Sequence, residues 1–128
     1  MGLALSDPLG VIARPLAVVE RRSDDTLFAE LSRVMTEYAV THIVLGLPLK
    51  LDGTEGPAAA EVRTFAEKLR AALSAPVELW DERLSTVQAE RALLDADMSR
   101  AKRKQRRDKV AAQVFLQSYL DAHRSDFA

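Results

Sequence analysis

Met1-Gly-Leu-Ala-Leu-Ser-Asp7-Pro-Leu-Gly10 opens the chain as a short apolar run closed by a turn signal. Residues 3–6 predict a strand, and Asp7-Pro-Leu-Gly10 predicts the turn that ends it, because Asp-Pro and Gly punctuate regular structure. A second strand is expected at about 13–21, where Ala17-Val18-Val19 supplies β-branched side chains. Beyond it, Ser23-Asp24-Asp25 predicts the cap of a helix over about 25–39. Leu27, Phe28, Leu31, Val34, Met35 and Tyr38 follow the i, i+1, i+4, i+7, i+8, i+11 rhythm of one buried face of that helix.

Thr41-His-Ile-Val-Leu-Gly-Leu47 is a short apolar run between turn signals and suits a buried parallel strand. Pro48 to Gly56 reads as a loop. Pro57 then suits the first position of a helix to about Leu73, with Val62, Phe65, Ala66 and Leu69 on one side. Pro76-Val-Glu-Leu-Trp80 is the next expected strand, and Ser85-Thr-Val-Gln88 predicts a capping box opening a helix to about Leu94. Ser99 is a candidate cap for a last helix whose far end carries Val110, Val114, Phe115 and Leu120. The order β-β-α-β-α-β-α-α predicts an α/β fold with a partly parallel sheet.

A chain of 128 residues predicts one domain, 1–128, and 48% hydrophobic residues suffice for a core. No cysteine is present, which excludes disulfides and thiolate-held zinc or iron–sulfur groups. No apolar run approaches the roughly 20 residues of a membrane span. The N-terminus also lacks the basic and apolar regions of a signal peptide. The expectation is therefore a cytoplasmic protein with no membrane partner. The net charge of −1 hides a dense basic stretch, Arg100 to Lys109, in which seven of ten residues are Lys or Arg. Such a run can present a positive face to a polyanion, or serve only as a solvated helix face. Few aromatics interrupt it, so no base-stacking platform is indicated. His42 and His123 have no partner at metal-ligand spacing, and Trp80 reads as core.

Chemistry points first to Asp81-Glu82-Arg83, at the strand end where open α/β sheets place ligands. Adjacent strand residues face opposite ways, so only one of the two acids can readily join a shared site. A simpler alternative pairs both acids with Arg83. A further acid, Asp108, stands among Arg106, Arg107 and Lys109, with an ordinary ion pair to Lys104 as its bland reading. The stretch Gly46 to Gly56 offers glycines that let backbone approach a substrate, and Lys50 to meet a phosphate. Asp7 is expected to serve its turn.

Met1 to Asp7, Leu45-Gly-Leu-Pro-Leu49, Trp80-Asp-Glu-Arg-Leu-Ser-Thr86 and Arg107-Asp108-Lys109 together resemble the YqgF/RuvX family over nearly the whole chain. These are small ribonuclease H-like proteins known as Holliday junction resolvases and as nucleases that mature the 5′ end of pre-16S ribosomal RNA. The resemblance implies a ribonuclease H-like mixed sheet flanked by helices, with spatial strand order 3-2-1-4-5. It implies phosphodiester hydrolysis assisted by Mg²⁺ or Mn²⁺, with Glu82 and Asp108 as the catalytic, metal-binding acids. Substrate contacts would come from Gly46, Lys50, Arg83, Arg103, Lys104, Arg106 and Arg107. The implied partners are nucleic acid, with pre-16S rRNA ahead of branched DNA, and ribosomal precursor particles. A trimming enzyme can act as a monomer, whereas a resolvase needs a homodimer to place two cuts symmetrically.

Family members usually open with a strand of the form Asp-x-Gly-x-x-Arg-Ile-Gly that runs straight into the Ala-Leu-Ser-Asp found here. The opening Asp, a metal ligand in related enzymes, has no counterpart in this chain, and the central first strand is expected to be missing with it. Either the true start lies upstream, or the second strand closes up against the fourth. A catalytically inactive module that binds nucleic acid or the ribosome is the alternative function this absence suggests.

Overall fold

A computed structural model describes residues 1–20, 22–81 and 100–123, without the side chains of 100–103 and 105. Its elements run β1 (Gly2–Ser6), β2 (Ala13–Val18), α1 (Asp24–Tyr38), β3 (Ile43–Leu47), α2 (Pro57–Leu73), β4 (Val77–Asp81) and α3 (Arg100–Ala122). The fold is α/β with both antiparallel and parallel pairing, as expected. The helix expected at 85–94 and the Ser99 cap lie outside the described residues. Among the described residues, β1 pairs only with β2 and β3 only with β4. The chain divides into two compact units, one built from residues 1–19 and 84–128 and the other from residues 20–83.

In the first unit, β1 and β2 form an antiparallel hairpin whose register skips Leu16, so that Leu3 faces Ala17 while Ala4 faces Pro15. Proline lacks a ladder donor and is tolerated on edge strands and at bulges, and Pro15 occupies both. The turn is built by Asp7, whose carboxylate accepts hydrogen bonds from the backbone N–H groups of Val11 (2.7 Å) and Ile12 (3.1 Å). Those bonds hold its carboxyl below the ordinary aspartate range. Asp7 is thus a turn residue, as its Asp-Pro context predicts.

Two glutamines bind α3 to this hairpin. Gln117 accepts from the Ala13 N–H at 2.9 Å and donates to the Val11 carbonyl at 2.8 Å. Gln113 donates to the Ala13 carbonyl at 3.3 Å. Ala13 is only 2% exposed. Left unpaired, a buried backbone group costs about 1–3 kcal/mol, so the two amides offset a real penalty. Tyr119 and Leu120 bury the far end of the helix.

The second unit is a β-α-β crossover preceded by α1. The Ser23 hydroxyl caps α1 by accepting from the Thr26 N–H at 3.2 Å, and Pro57 opens α2 at the position where its missing N–H costs nothing. Leu27 of α1 is fully buried, and Phe28 lies 5.7 Å from Phe65 of α2, ring centre to ring centre. Ala59, Phe65, Ala66 and Leu69 form the buried stripe of α2, close to the face predicted from periodicity. Tyr38, counted on the α1 face, is instead exposed at the helix end. β3 and β4 run parallel in strict register, Ile43 against Val77 through Leu47 against Asp81. Arg70 donates from Nη2 to the Val77 carbonyl at 2.7 Å, which ties the end of α2 to β4. No helix among the described residues is long and apolar enough to cross a membrane.

Candidate active site

The second unit presents the C-terminal ends of β3 and β4 side by side. Asp81, read from sequence as the first residue beyond its strand, is the last rung of the ladder, half-buried opposite Leu47. Gly46 likewise lies within β3, opposite Trp80, rather than in the loop. Glu82 and Arg83 lie outside the described residues.

The chain leaving β3 folds back on itself. Leu49 bridges Glu55, the Gly53 N–H donates to the Lys50 carbonyl at 2.8 Å, and the Lys50 N–H donates to Thr54 at 2.9 Å. This is a tight turn followed by a left-handed residue, and Gly53 supplies it at φ 87°. The Asp52 carboxylate accepts from the Thr54 N–H at 3.0 Å and from its hydroxyl at 2.6 Å. Asp52 is thereby committed to the turn. Glu55 forms a salt bridge with Arg63 of α2, whose guanidinium keeps its carboxyl below the usual range. The Lys50 side chain passes over Gly56, where a Cβ would stand 2.7 Å from its Cε. The result is a braced hairpin at the strand end, with Lys50 exposed and Leu51 98% exposed at the tip.

In the first unit, α3 carries the basic run. Lys104, Arg106 and Arg107 are exposed, while Asp108 and Lys109 are half-buried. Arg103 is helical, but its side chain is not described. Asp108 makes no ion pair with Lys104 among the described residues, so the bland reading of that carboxylate is not realised there. An acid on a helix lined by exposed cations can meet a polyanion that those cations attract. Among the described residues, no three or more His, Asp or Glu side chains gather into a cation site.

Sequence reasoning missed Gln113 and Gln117. Their only signal is two amides four residues apart, set in the apolar half of the helix. The close approach of Gly2 to α3 has no sequence signal either.

The family model described as RuvX, Holliday junction resolvase, matches residues 1–122. The chain belongs to the RuvX family. A protein of Myxococcus xanthus named "Putative pre-16S rRNA nuclease" is 54% identical over 124 residues, covering 97% of this chain and 82% of the relative. A protein of the same name from Symbiobacterium thermophilum is 50% identical over 122 residues, covering 95% of this chain and 85% of the relative. A third, from Thermoanaerobacter pseudethanolicus, is 45% identical over 126 residues, covering 98% and 91%. RuvX membership agrees with the α/β architecture and with the motifs that first suggested it.

Proposed function

We propose that this RuvX-family chain is a nuclease acting on the 5′ end of pre-16S rRNA. The observation that carries this reading is the helix α3, where exposed Lys104, Arg106 and Arg107 flank the half-buried acid Asp108. Relatives sharing about half its residues and named for pre-16S rRNA add support. In this reading the cations hold the phosphate backbone, which gives affinity with little sequence preference. Lys50, on the braced hairpin after β3, adds a further phosphate contact. Glu82 and Asp108 supply the acids. Their all-oxygen donors suit a hard cation such as Mg²⁺ or Mn²⁺. Such a cation, when bound, would supply charge neutralisation at the phosphate. The acids are the chain's own part in this reading.

The test is cleavage of a pre-16S leader fragment beside a four-way DNA junction, each with Mn²⁺. Cleavage of the leader in preference to the junction is the expected outcome. Preferential junction cleavage would favour the resolvase reading that the family description suggests. RNA binding without cleavage of either would favour a binding module.

The electrostatic part of the reading has its own check. Replacing Arg106 and Arg107 with glutamine should weaken RNA binding and flatten its salt dependence. Each lost phosphate contact should reduce the slope of log K against log salt by about 0.7–0.9. An unchanged slope would make these residues a solvated surface.

A further inference from the structure

Gly2 begins β1 with no space for a side chain. A Cβ built on it would stand 2.1 Å from the backbone carbonyl oxygen of Asp108, 2.6 Å from the carbonyl carbon and 3.3 Å from the Asp108 Cβ. Gly2 is not among the glycines with positive φ, so any residue could adopt its backbone conformation. Space, not conformational freedom, is what requires glycine here. Ordinary carbon–oxygen contact begins at about 3.3 Å, so even one methyl group demands roughly an ångström of movement. Neither side can yield alone, because both are hydrogen-bonded backbone: the strand is held by Met1–Val19 pairing at 2.9 and 3.0 Å, and the opposing atoms belong to a helix.

The other end of α3 is fastened separately. Gln113 and Gln117 hold it to Ala13 and Val11, and Tyr119 and Leu120 are buried. Asp108 lies five and nine residues before those anchors, about 7.5 and 13.5 Å along the axis. Pressure at Gly2 would therefore tilt the near end of the helix about a fixed far end. The residue that moves most directly is the one carrying the carboxylate.

We infer that Gly2 is a positioning residue for Asp108, whose bare backbone sets how closely the acid sits over the β1–β2 hairpin. The inference rests on the reading of Asp108 as an acid of the nuclease reaction. A displacement of about an ångström at a reacting group can lower turnover about 10²-fold.

The experiment is a double-mutant cycle in the full chain, with Gly2→Ala, Asp108→Glu and their combination, reading kcat and RNA affinity separately. Gly2→Ala should lower kcat about 10²-fold and leave RNA affinity within about twofold. The longer carboxylate of Asp108→Glu should regain at least about tenfold in the Gly2→Ala background while impairing the otherwise native chain. Additive losses, or unchanged kcat in Gly2→Ala, would overturn the inference. Asp108→Asn separates the two claims. If that variant still cleaves, the reading of Asp108 fails, whatever Gly2 does. A readout independent of activity and of any variant's folding is the nuclear Overhauser contact between the Gly2 Hα protons and the Asp108–Lys109 backbone. Its presence in the unaltered protein is expected, and its absence would overturn the inference.

Discussion

Asp108→Asn is expected to lower phosphodiester cleavage about 10³-fold or more, and Glu82→Gln to do the same. Groups that act as one unit lose nearly the whole of their effect when one is removed. The asparagine keeps the shape of the side chain and removes only its charge. Asp108 is half-buried and makes no ion pair with Lys104 among the described residues. Folding should therefore change little, by about 0.5 kcal/mol or less for such a substitution. The two measurements are initial cleavage rate and thermal midpoint on the same preparations. Wild-type cleavage by either variant would remove that acid from the proposed site. Loss of the thermal transition would instead assign the residue to stability.

Leu27→Ala should be the most damaging single change to the second unit. Leu27 of α1 is 0% exposed and Leu69 of α2 is 1% exposed, and the two helices meet through the Phe28–Phe65 ring pair. Truncating a buried leucine costs about 2–5 kcal/mol, from lost burial plus the cavity left behind. Whole domains are stable by only about 5–15 kcal/mol. With urea slopes of about 1–3 kcal/mol/M, the midpoint should fall by roughly 1–3 M. Leu51→Ala is the natural control, since Leu51 is 98% exposed at the hairpin tip. A Leu27→Ala shift no larger than the control would mean that α1 does not carry the core of its unit.

The elements that could be read from sequence are those whose signals are local. Ser23 and Pro57 mark helix starts through their own chemistry, and the apolar rhythm of α1 and α2 needs no partner to be seen. Strand ends were less legible: Asp81 belongs to β4 because Leu47 pairs with it, and that pairing is not written beside Asp81. The Leu16 bulge, the glutamines at 113 and 117 and the tight space at Gly2 all depend on residues far away in the chain. Asp108 stands out in sequence only through its charged neighbours, and family resemblance rather than spacing ties it to the chemistry. In sequence the hairpin after β3 is only a glycine-bearing loop; its bracing by Asp52, Thr54 and the Glu55–Arg63 pair depends on how the chain folds back on itself.

The bond from the Ala13 N–H to Gln117 joins residues 104 apart in the chain. The second unit, by contrast, is one continuous stretch, residues 20–83. During synthesis at about 5–20 residues per second, the β1–β2 hairpin would wait roughly 5–20 s for its helix to emerge. Contacts of such long sequence separation also slow folding, because loop-closure entropy is spent before they form. The continuous crossover can fold while the ribosome is still at work. The clasped unit closes last.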